Sequence, residues 1–217
     1  MKPVVRRPRL ALTLLAVVAA IATLGLPAVR TPVLRSVGWA LVAEDPLQQA
    51  DVIVTTAAGG TASILEAADL VHEGIAKRVA VFADPPEDAD REMMRRGLPV
   101  GDNAAASLRQ LRLLGIEAVE RIPKSVAGSE EEARVLPAWC RERQVRSVVL
   151  ISTTDHSRRL HRLFRRTMQG GGTTVAVRGT RYSAFKPDRW WQTRDGARTG
   201  IVELQKLLLD LALHPLS

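Results

Sequence analysis

Short apolar runs alternate with longer amphipathic stretches from about residue 50 to the end of the chain. Apolar runs of about four to eight residues are typical of strands buried on both faces of a sheet. Stretches with apolar residues three or four positions apart are typical of helices that cover a sheet. The apolar runs predict strands at 51–58, 78–83, 118–122, 146–151 and 173–177. The amphipathic stretches predict helices at 62–72, 103–114, 130–143, 156–168 and 201–213.

This alternation of strands and helices predicts the class of fold. Strands that are joined through helices build an open, mostly parallel sheet with helices on both faces. We therefore expect a doubly wound α/β domain of the Rossmann-like, three-layer type at residues 50–217, without internal repeats. Ligands of such sheets bind at the carboxyl ends of the strands. The loops that directly follow strands are therefore the first candidates for chemistry.

The amino-terminal part of the chain has a different pattern. Leu10–Val29 contains no charged residue, and at ~1.5 Å per residue a helix of this length spans a hydrocarbon core of about 30 Å. More basic residues precede this run than closely follow it, so the positive-inside rule leaves the amino terminus in the cytoplasm. We expect a membrane anchor at 1–30 that crosses the bilayer with residues 10–29, a linker at 31–49 and an extracytoplasmic domain.

A cleaved signal peptide is the alternative interpretation of the same segment. Ala20-Ile21-Ala22 has the small-x-small pattern of a cleavage site. The apolar run continues past that point through Leu24 and Leu26, which favours the uncleaved anchor. Both interpretations export the rest of the chain, and export is compatible with a single cysteine, Cys140.

The net charge of +8 is largely a property of this amino-terminal segment. Without its five basic residues the chain has 26 basic and 23 acidic residues, so the exported domain is only mildly basic. Aromatic residues make up 4% of the chain and no nucleic-acid-binding motif is present. We therefore expect no nucleic-acid partner. The five residues are Lys2, Arg6, Arg7, Arg9 and Arg30.

The connection after the predicted strand 146–151 is the best candidate for chemistry. Ser152 and Thr153 supply hydroxyl groups, and His156 supplies an imidazole of the kind that exchanges protons near neutral pH. Arg159 adds a guanidinium group that can hold an anion. The alternative is structural, with a side chain at 154 or 155 capping the helix and His156 packing at the edge of the core.

Two further loops contain candidate binding residues. Gly59 and Gly60 precede a helix, where backbone N–H groups can receive an anion, although neither spaced glycines nor a Lys-Ser/Thr pair is present. Ser129 and Glu132 match the capping box of a helix start, which explains both without function. Glu131 lies in the first turn of the same helix, where a carboxylate is favoured by the helix dipole.

The predicted helix 156–168 has one strongly basic face. Arg158, Arg162 and Arg165 recur at helical spacing, opposite apolar positions. Such a face is either simply solvated or binds an anionic partner such as lipid headgroups or a phosphorylated substrate. Metal binding has no support, because the four histidines and Cys140 show no ligand spacing typical of zinc.

From about Ala50 to Leu213 the chain resembles the YdcF-like family, a bacterial envelope domain that includes SanA- and ElyC-type proteins. The segment 129–133 stands in the place of the family signature Thr-x-Glu-Asn-Ala, and 151–159 in that of Val-Thr-Ser-x-x-His-x-x-Arg. Glu203 and Lys206 match positions near the end of the domain. The sequence departs from the family pattern in three places: Glu132 replaces the asparagine of the signature, Ser63 stands near an expected arginine, and Phe82-Ala83-Asp84 replaces the Ser-Gly-Gly usual after the second strand.

The resemblance implies that the loops carrying these signatures meet at one edge of the sheet. It supports His156, Arg159 and Glu131, which are the candidate catalytic residues. It also supports Ser129, Ser152 and Thr153, which together with Gly59 and Gly60 are the candidate ligand-binding residues. Membership of this family implies a role in cell-envelope or cell-wall precursor metabolism.

We therefore expect a domain that binds or processes an anionic envelope ligand, such as a polyprenyl-phosphate-linked precursor, through His156 and Arg159. The departures from the family pattern leave a second hypothesis, a non-catalytic envelope binding or scaffold protein with a degenerate pocket. A third hypothesis is a domain that binds a nucleotide or S-adenosylmethionine in the same crevice. The residues identify no cofactor, and they leave open whether the protein is an enzyme.

Overall fold

The computed structural model describes residues 25–215, and this part of the chain folds around one five-stranded sheet whose strands are all parallel. The strands are β1 Val52–Thr55, β2 Val79–Ala83, β3 Val119–Ser125, β4 Ser147–Ser152 and β5 Thr174–Gly179. Seven α-helices lie within the same range. They are α1 Pro27–Ala40, α2 Gly60–His72, α3 Asp88–Arg95, α4 Asn103–Leu113, α5 Ser129–Glu142, α6 Ser157–Met168 and α7 Arg194–Leu213. The predicted α/β class with a parallel sheet is confirmed.

The order of the strands determines where a crevice opens. Across the sheet the order is β3-β2-β1-β4-β5. From β1 the chain builds outward through β2 to β3, and it then returns to the other side of β1 to add β4 and β5. The connections that leave β1 and β4 therefore run in opposite directions. In open parallel sheets this switch point is where ligands bind, beyond the carboxyl ends of the two strands.

Helices cover both faces of the sheet because the central strands alternate their side chains between two apolar clusters. Ile53 of β1 packs on one face with Leu70 of α2 and Leu111 of α4. Val54 packs on the opposite face in a cluster that includes Phe164 of α6 and buried residues of α5. The central strands β1 and β2 are almost entirely apolar, with Thr55 as the exception, because both of their faces are buried. The result is a sandwich of three layers.

A third apolar cluster joins α1 to α7 outside these layers. Trp190, in a short 3₁₀ turn, packs with Leu41 after α1 and with Leu207 of α7. Its indole N–H donates a hydrogen bond of 2.7 Å to the carbonyl oxygen of Leu34. The absence of a side chain at Gly38 allows this close approach, since a Cβ there would lie 2.3 Å from the Pro187 carbonyl oxygen.

The pattern of apolar residues does not predict every helix. α3 lies in a segment where no helix was predicted, and its first turn contains Asp88 and Asp90, which are favoured by the helix dipole. α7 begins at Arg194, before the expected start at 201, because the Thr193 side chain caps the helix by accepting a hydrogen bond from the Gly196 N–H. α1 lies across the expected end of the membrane anchor and the linker.

The proposed membrane span falls mostly outside the described residues. Residues 10–24 of that run belong to the part that the structure does not describe, and α1 begins at Pro27. Among residues 25–215, none of the helices combines the length and the apolar character that crossing a bilayer requires. The anchor at 1–30 therefore stays a prediction.

Candidate active site

Three polar side chains from three helical segments meet beyond the carboxyl end of β4. His156 ends the 3₁₀ turn Thr154–His156 that follows this strand, and it is 7% exposed. Its Nε2 lies 3.1 Å from Oγ of Ser129, the first residue of α5. Its Nδ1 lies 2.8 Å from Oε2 of Glu203, on α7. A hydroxyl, an imidazole and a carboxylate thus form a continuous hydrogen-bonded chain.

The hydrogen-bond partners determine which nitrogen of neutral His156 carries the proton. A carboxylate only accepts hydrogen bonds, so Nδ1–H donates to Glu203. Nε2 is then left as an acceptor, and the Ser129 hydroxyl donates to it. This arrangement directs a basic nitrogen at a serine hydroxyl, which is the geometry that increases the nucleophilicity of serine.

Arg159 lies against the imidazole ring and places a fixed positive charge beside it. Its Nη2 is 2.9 Å from Nδ1 and 3.3 Å from Nε2 of His156, so one guanidinium nitrogen approaches both ring nitrogens. Because the Nδ1 proton is directed at Glu203, Arg159 is not a hydrogen-bond donor to this nitrogen and acts on the ring through the proximity of its charge. Nε of Arg159 also donates to Glu203 at 3.3 Å.

Glu203 is held in its ionised form by its neighbours. Burial by itself raises the pKa of this carboxyl. The hydrogen bond and charge of His156, together with Lys206 at 2.7 Å and the charge of Arg159, outweigh burial and lower the pKa to about 2. A carboxylate at this position orients the imidazole and stabilises the positive charge that the ring acquires on taking a proton.

Glu132 is a second buried carboxyl of the crevice, one helical turn after Ser129. Its side chain accepts a 2.8 Å hydrogen bond from the backbone N–H of Ala57, in the loop after β1. Burial raises the pKa of Glu132 to about 7, against the hydrogen bond from Ala57, which lowers it. The negative charge of Asp84 adds to the increase and the positive charge of Arg159 opposes it. This carboxyl can therefore exchange a proton near neutral pH.

The predicted capping box at the start of α5 is wrong. Gly128 occupies the cap position with φ +92°, a conformation that glycine tolerates best, and Ser129 is already the first helical residue. The Ser129 hydroxyl is directed at His156, and the Glu132 carboxylate at Ala57. A cap made by the side chain at 154 or 155 is also not observed, since Thr154 donates to the carbonyl oxygen of Thr180.

The structure does not bring the other predicted site residues into side-chain contact with His156: the side chains of Glu131, Ser152 and Thr153 form no hydrogen bond with it, and Gly59 and Gly60 lie at the start of α2. Glu131 accepts a 2.7 Å hydrogen bond from the Ala127 N–H and so stabilises the loop before α5. Gly59 is buried, and Gly60 has φ +54° at the start of α2. Ser152 ends β4, and Thr153 precedes the 3₁₀ turn.

Three hydroxyl groups near these loops are buried without a hydrogen-bond partner among the described residues. They belong to Thr56, Ser63 and Ser152, which are at most 4% exposed. Thr56 follows β1 and lines a cavity of about 230 Å³ over the ends of β1 and β2, together with Asp84 and Asn103. Buried hydroxyls normally have a partner, so a water or a ligand atom is expected at this end of the sheet.

A more voluminous cavity lies apart from Ser129 and His156. It has a volume of about 750 Å³ over the ends of β2 and β3, and Asp84, Glu87, Asp90 and Asp102 give it an acidic lining with Arg121 as the basic member. An anionic ligand is repelled there and attracted to the Arg159 side of the crevice. Within residues 25–215 there is no group of His, Cys, Asp and Glu side chains that could hold a metal ion.

The chain matches no protein-family model, and no curated protein sequence is significantly similar to it. The geometry therefore carries the functional argument. Sequence reasoning named Ser129, His156 and Arg159 as candidates, and it mentioned Glu203 only within the family resemblance. It assigned Glu132 to a helix cap. The sequence feature that could have indicated a place for Glu132 in the site is its position one helical turn after Ser129, on the same side of α5.

Proposed function

We propose that this chain is a membrane-anchored, extracytoplasmic enzyme of the bacterial cell envelope that cleaves or transfers a phosphoester in an anionic ligand. Ser129 is the nucleophile, His156 is its base and Arg159 holds the phosphate. The observation that carries the proposal is the hydrogen-bonded chain from Ser129 through His156 to Glu203. The ligand class, a polyprenyl-phosphate-linked envelope precursor, and the localisation follow from the apolar segment and from the resemblance to the YdcF-like family.

The chemistry requires one proton transfer for each bond that forms. Ser129 Oγ attacks phosphorus while its proton passes to His156 Nε2, and the leaving oxygen then takes that proton as the phosphorus–oxygen bond breaks. Water, or an acceptor hydroxyl, attacks the phosphoserine in the second half and returns Ser129 to its starting state. Glu203 stabilises the imidazolium in both halves.

Charge stabilisation is provided by Arg159 and by the start of α5. A guanidinium group offers paired donors that match the oxygens of a phosphate. The first backbone N–H groups of a helix have no intrahelical partners and favour negative charge, and Ser129 is the first residue of α5. A phosphoryl group attached to Ser129 would therefore lie beside a helix start. Arg159 would lie close to it, because its Nη2 is 3.3 Å from the His156 Nε2 that faces the Ser129 hydroxyl.

A fluorophosphonate probe tests the nucleophile directly, because it forms a covalent bond to an activated serine. We expect mass spectrometry of the purified full chain to locate the adduct on Ser129. His156→Ala should slow labelling by about 10²-fold or more, the usual contribution of a general base. Ser125→Ala, which changes a nearby hydroxyl outside the hydrogen-bonded chain, is the matched control and should label normally.

The assay on a phosphoester decides between catalysis and binding alone. The wild-type protein in detergent should release phosphate from a polyprenyl monophosphate, whereas Ser129→Ala should bind that lipid without turnover. Thermal unfolding of each variant shows whether it is folded. Labelling elsewhere than Ser129, or equal labelling in folded His156→Ala, would contradict the proposal. Lipid binding without turnover in the wild type would favour a non-catalytic envelope protein.

A further inference from the structure

The outer side of α7 exposes a mainly apolar surface, in which the exposed Gln205 and Lys206 lie between two groups of apolar residues. Leu208, Leu209 and Leu213 are 56%, 60% and 65% exposed, and Ile201 and Val202 extend the same surface by two turns. Both acidic residues of this part of α7, at 203 and 210, are directed inward to basic partners. We call the five exposed apolar residues the α7 surface. An apolar patch of this kind normally contacts a partner or a membrane.

A groove with a cationic rim adjoins the α7 surface. It has a volume of about 370 Å³ between α6 and α7, with an apolar floor that includes Leu207 and Leu211. Arg158 and Arg165 line its edge, and within residues 25–215 neither side chain forms a hydrogen bond or an ion pair. Arg162, on the same edge, is paired with Asp210 at 2.7 Å. Two unneutralised guanidinium groups thus lie beside exposed leucines.

The chain itself connects this surface with the proposed membrane segment. The uncharged run Leu10–Val29 continues directly into α1. α1 is held against α7 through Trp190, which donates to the carbonyl oxygen of Leu34 and packs on Leu207. Ala40, at the end of α1, lines the groove between α6 and α7. An anchor that inserts residues 10–29 in a bilayer therefore brings α7 to the same membrane.

We propose that the α7 surface docks on an anionic lipid bilayer, with its leucines in the interfacial layer and Arg158 and Arg165 on lipid phosphates. Apolar side chains flanked by arginine are the chemistry that binds a helix to a membrane surface. Arginine near anionic lipids adds an attraction that weakens as salt rises. This contact is additional to the membrane span, and it does not depend on the proposed phosphoester chemistry.

The docking also has a consequence for the site. Glu203 lies one turn before Leu207 on α7, and Arg159 lies next to Arg158 on α6. A domain that rests on α6 and α7 therefore holds the hydrogen-bonded chain of Ser129, His156 and Glu203 near the lipid phosphates. A lipid-linked substrate would reach it without leaving the membrane.

A fluorescent label that reports its surroundings tests the docking. The full chain carrying Leu208→Cys is labelled with a nitrobenzoxadiazole group and reconstituted in vesicles of phosphatidylcholine, with or without phosphatidylglycerol. Native Cys140 is fully buried, so the introduced thiol should be the one that reacts, and the unsubstituted chain checks this. The matched control is Leu113→Cys on α4, in the layer on the other face of the sheet, which is 87% exposed.

We expect the label at 208 to shift to shorter emission wavelength in phosphatidylglycerol vesicles and to be quenched by brominated lipid. The label at 113 should do neither. Combining Leu208→Cys with Arg158→Gln and Arg165→Gln should lower the ratio of docked to undocked protein by about tenfold or more and remove the dependence on phosphatidylglycerol. Circular dichroism checks that each variant is folded.

A label at 208 that stays as solvent-exposed as the label at 113 would overturn the docking. A wavelength shift that needs no lipid and grows with protein concentration would instead assign the α7 surface to a second copy of the chain. Alkaline carbonate extraction separates docking from anchoring. If alkaline carbonate removes the protein from the vesicles and the label at 208 still shows the lipid-dependent wavelength shift, the protein docks but has no membrane anchor. If the protein stays in the vesicles and the label shows no shift, the protein is anchored but does not dock.

Discussion

Glu131 and Glu132 are adjacent in the sequence and have different environments in the structure. One step along α5 rotates a side chain by about 100°, so Glu131 bonds to the Ala127 N–H of its own loop while Glu132 enters the crevice. Burial raises the pKa of the Glu132 carboxyl to about 7. The negative form of Glu132 therefore opposes folding over part of the pH range.

Glu132→Gln should stabilise the fold at pH 8 and have little effect at pH 4.5. The pKa of this carboxyl is about 4.5 when unfolded and about 7 when folded, so the destabilisation begins above pH 4.5 and is complete above pH 7. Glutamine keeps an oxygen for the Ala57 N–H and carries no charge. We expect the free energy of unfolding at pH 8 to rise by on the order of 3 kcal/mol. Urea unfolding at both pH values measures it.

Glu130→Gln changes an exposed carboxylate in the same helical turn and is the control for that measurement. Its effect on the free energy of unfolding at pH 8 should be much smaller than that of Glu132→Gln, because this side chain is exposed in the folded protein. A gain for Glu132→Gln that is equal at pH 4.5 and pH 8 would show that burial of the charge is not its cause.

The sequence identifies the types of residue in the site better than their partners. His156 and Arg159 could be selected because they share one strand-to-helix connection with hydroxyl residues. Glu203 is 47 positions from His156 along the chain, and only the packing of α7 on α6 brings the carboxylate to within 2.8 Å of the imidazole. Glu132 matched the capping-box motif of a helix start, but in the structure its carboxylate accepts a hydrogen bond from the Ala57 N–H, in the loop after β1.

The attachment of α1 to α7 depends on close approach at glycines. A Cβ at Gly38 would lie 2.3 Å from the Pro187 carbonyl oxygen and 2.7 Å from Cδ1 of Trp190. A Cβ at Gly200 would lie 2.5 Å from the same indole. Backbone atoms and a packed tryptophan cannot move aside as a flexible side chain can. A larger residue at Gly38 of α1 or Gly200 of α7 would therefore collide with them.

Gly38→Ala should loosen α1 from the rest of the domain. Overpacking costs about 1–3 kcal/mol, which at about 2–4 °C per kcal/mol for a domain of this size lowers Tm by several degrees. Hydrogen exchange in α1 and in the turn Trp190–Gln192 should accelerate, because the bond from Trp190 to Leu34 weakens. Thermal unfolding and hydrogen exchange with mass spectrometry measure the two effects.

Gly101→Ala is the control for this substitution, since a Cβ at Gly101 has no atom within 4 Å and the residue has no positive φ. It should leave Tm almost unchanged. A Gly38→Ala variant with the Tm of the wild type and unchanged exchange in α1 would mean that the Trp190 contact is not tight in solution.

Elements with strong periodicity were predictable, and elements held by tertiary contacts were not. The strand at 146–151 and the helix at 103–114 agree with β4 and α4 to within one residue at each end. α1 was missed because its proline at 32 and its few buried residues give no amphipathic pattern. Its helical form depends on contacts with Trp190 and Leu207, which are more than 150 positions away in the sequence.

The whole molecule combines a parallel sheet with a site at its switch point and, by our proposal, a membrane on its α6–α7 side. The basic residues support this arrangement. Five of them flank or lie near the apolar segment, and the arginines of α6 lie beside the exposed leucines of α7. Charge and exposed apolar residues thus lie together on the side of the domain that we propose faces the bilayer.

Membrane fractionation of cells that express the full chain tests the anchor. We expect the protein in the membrane fraction with its intact mass, and resistant to alkaline extraction. The extracytoplasmic domain should be digested when protease is added outside the cytoplasmic membrane, in the manner of an exported control protein. A soluble form shortened near Ala22 would instead establish a cleaved signal peptide.

The sequence by itself determined the α/β class, the parallel sheet and the loop that carries His156, because periodicity and turn residues are local properties of the chain. Tertiary structure alone decided that Ser129, His156 and Glu203 form one hydrogen-bonded chain. It also decided that Glu132 is buried and that the leucines of α7 are exposed. These properties depend on which distant residues come within a few ångströms, and neither spacing nor composition encodes such distances.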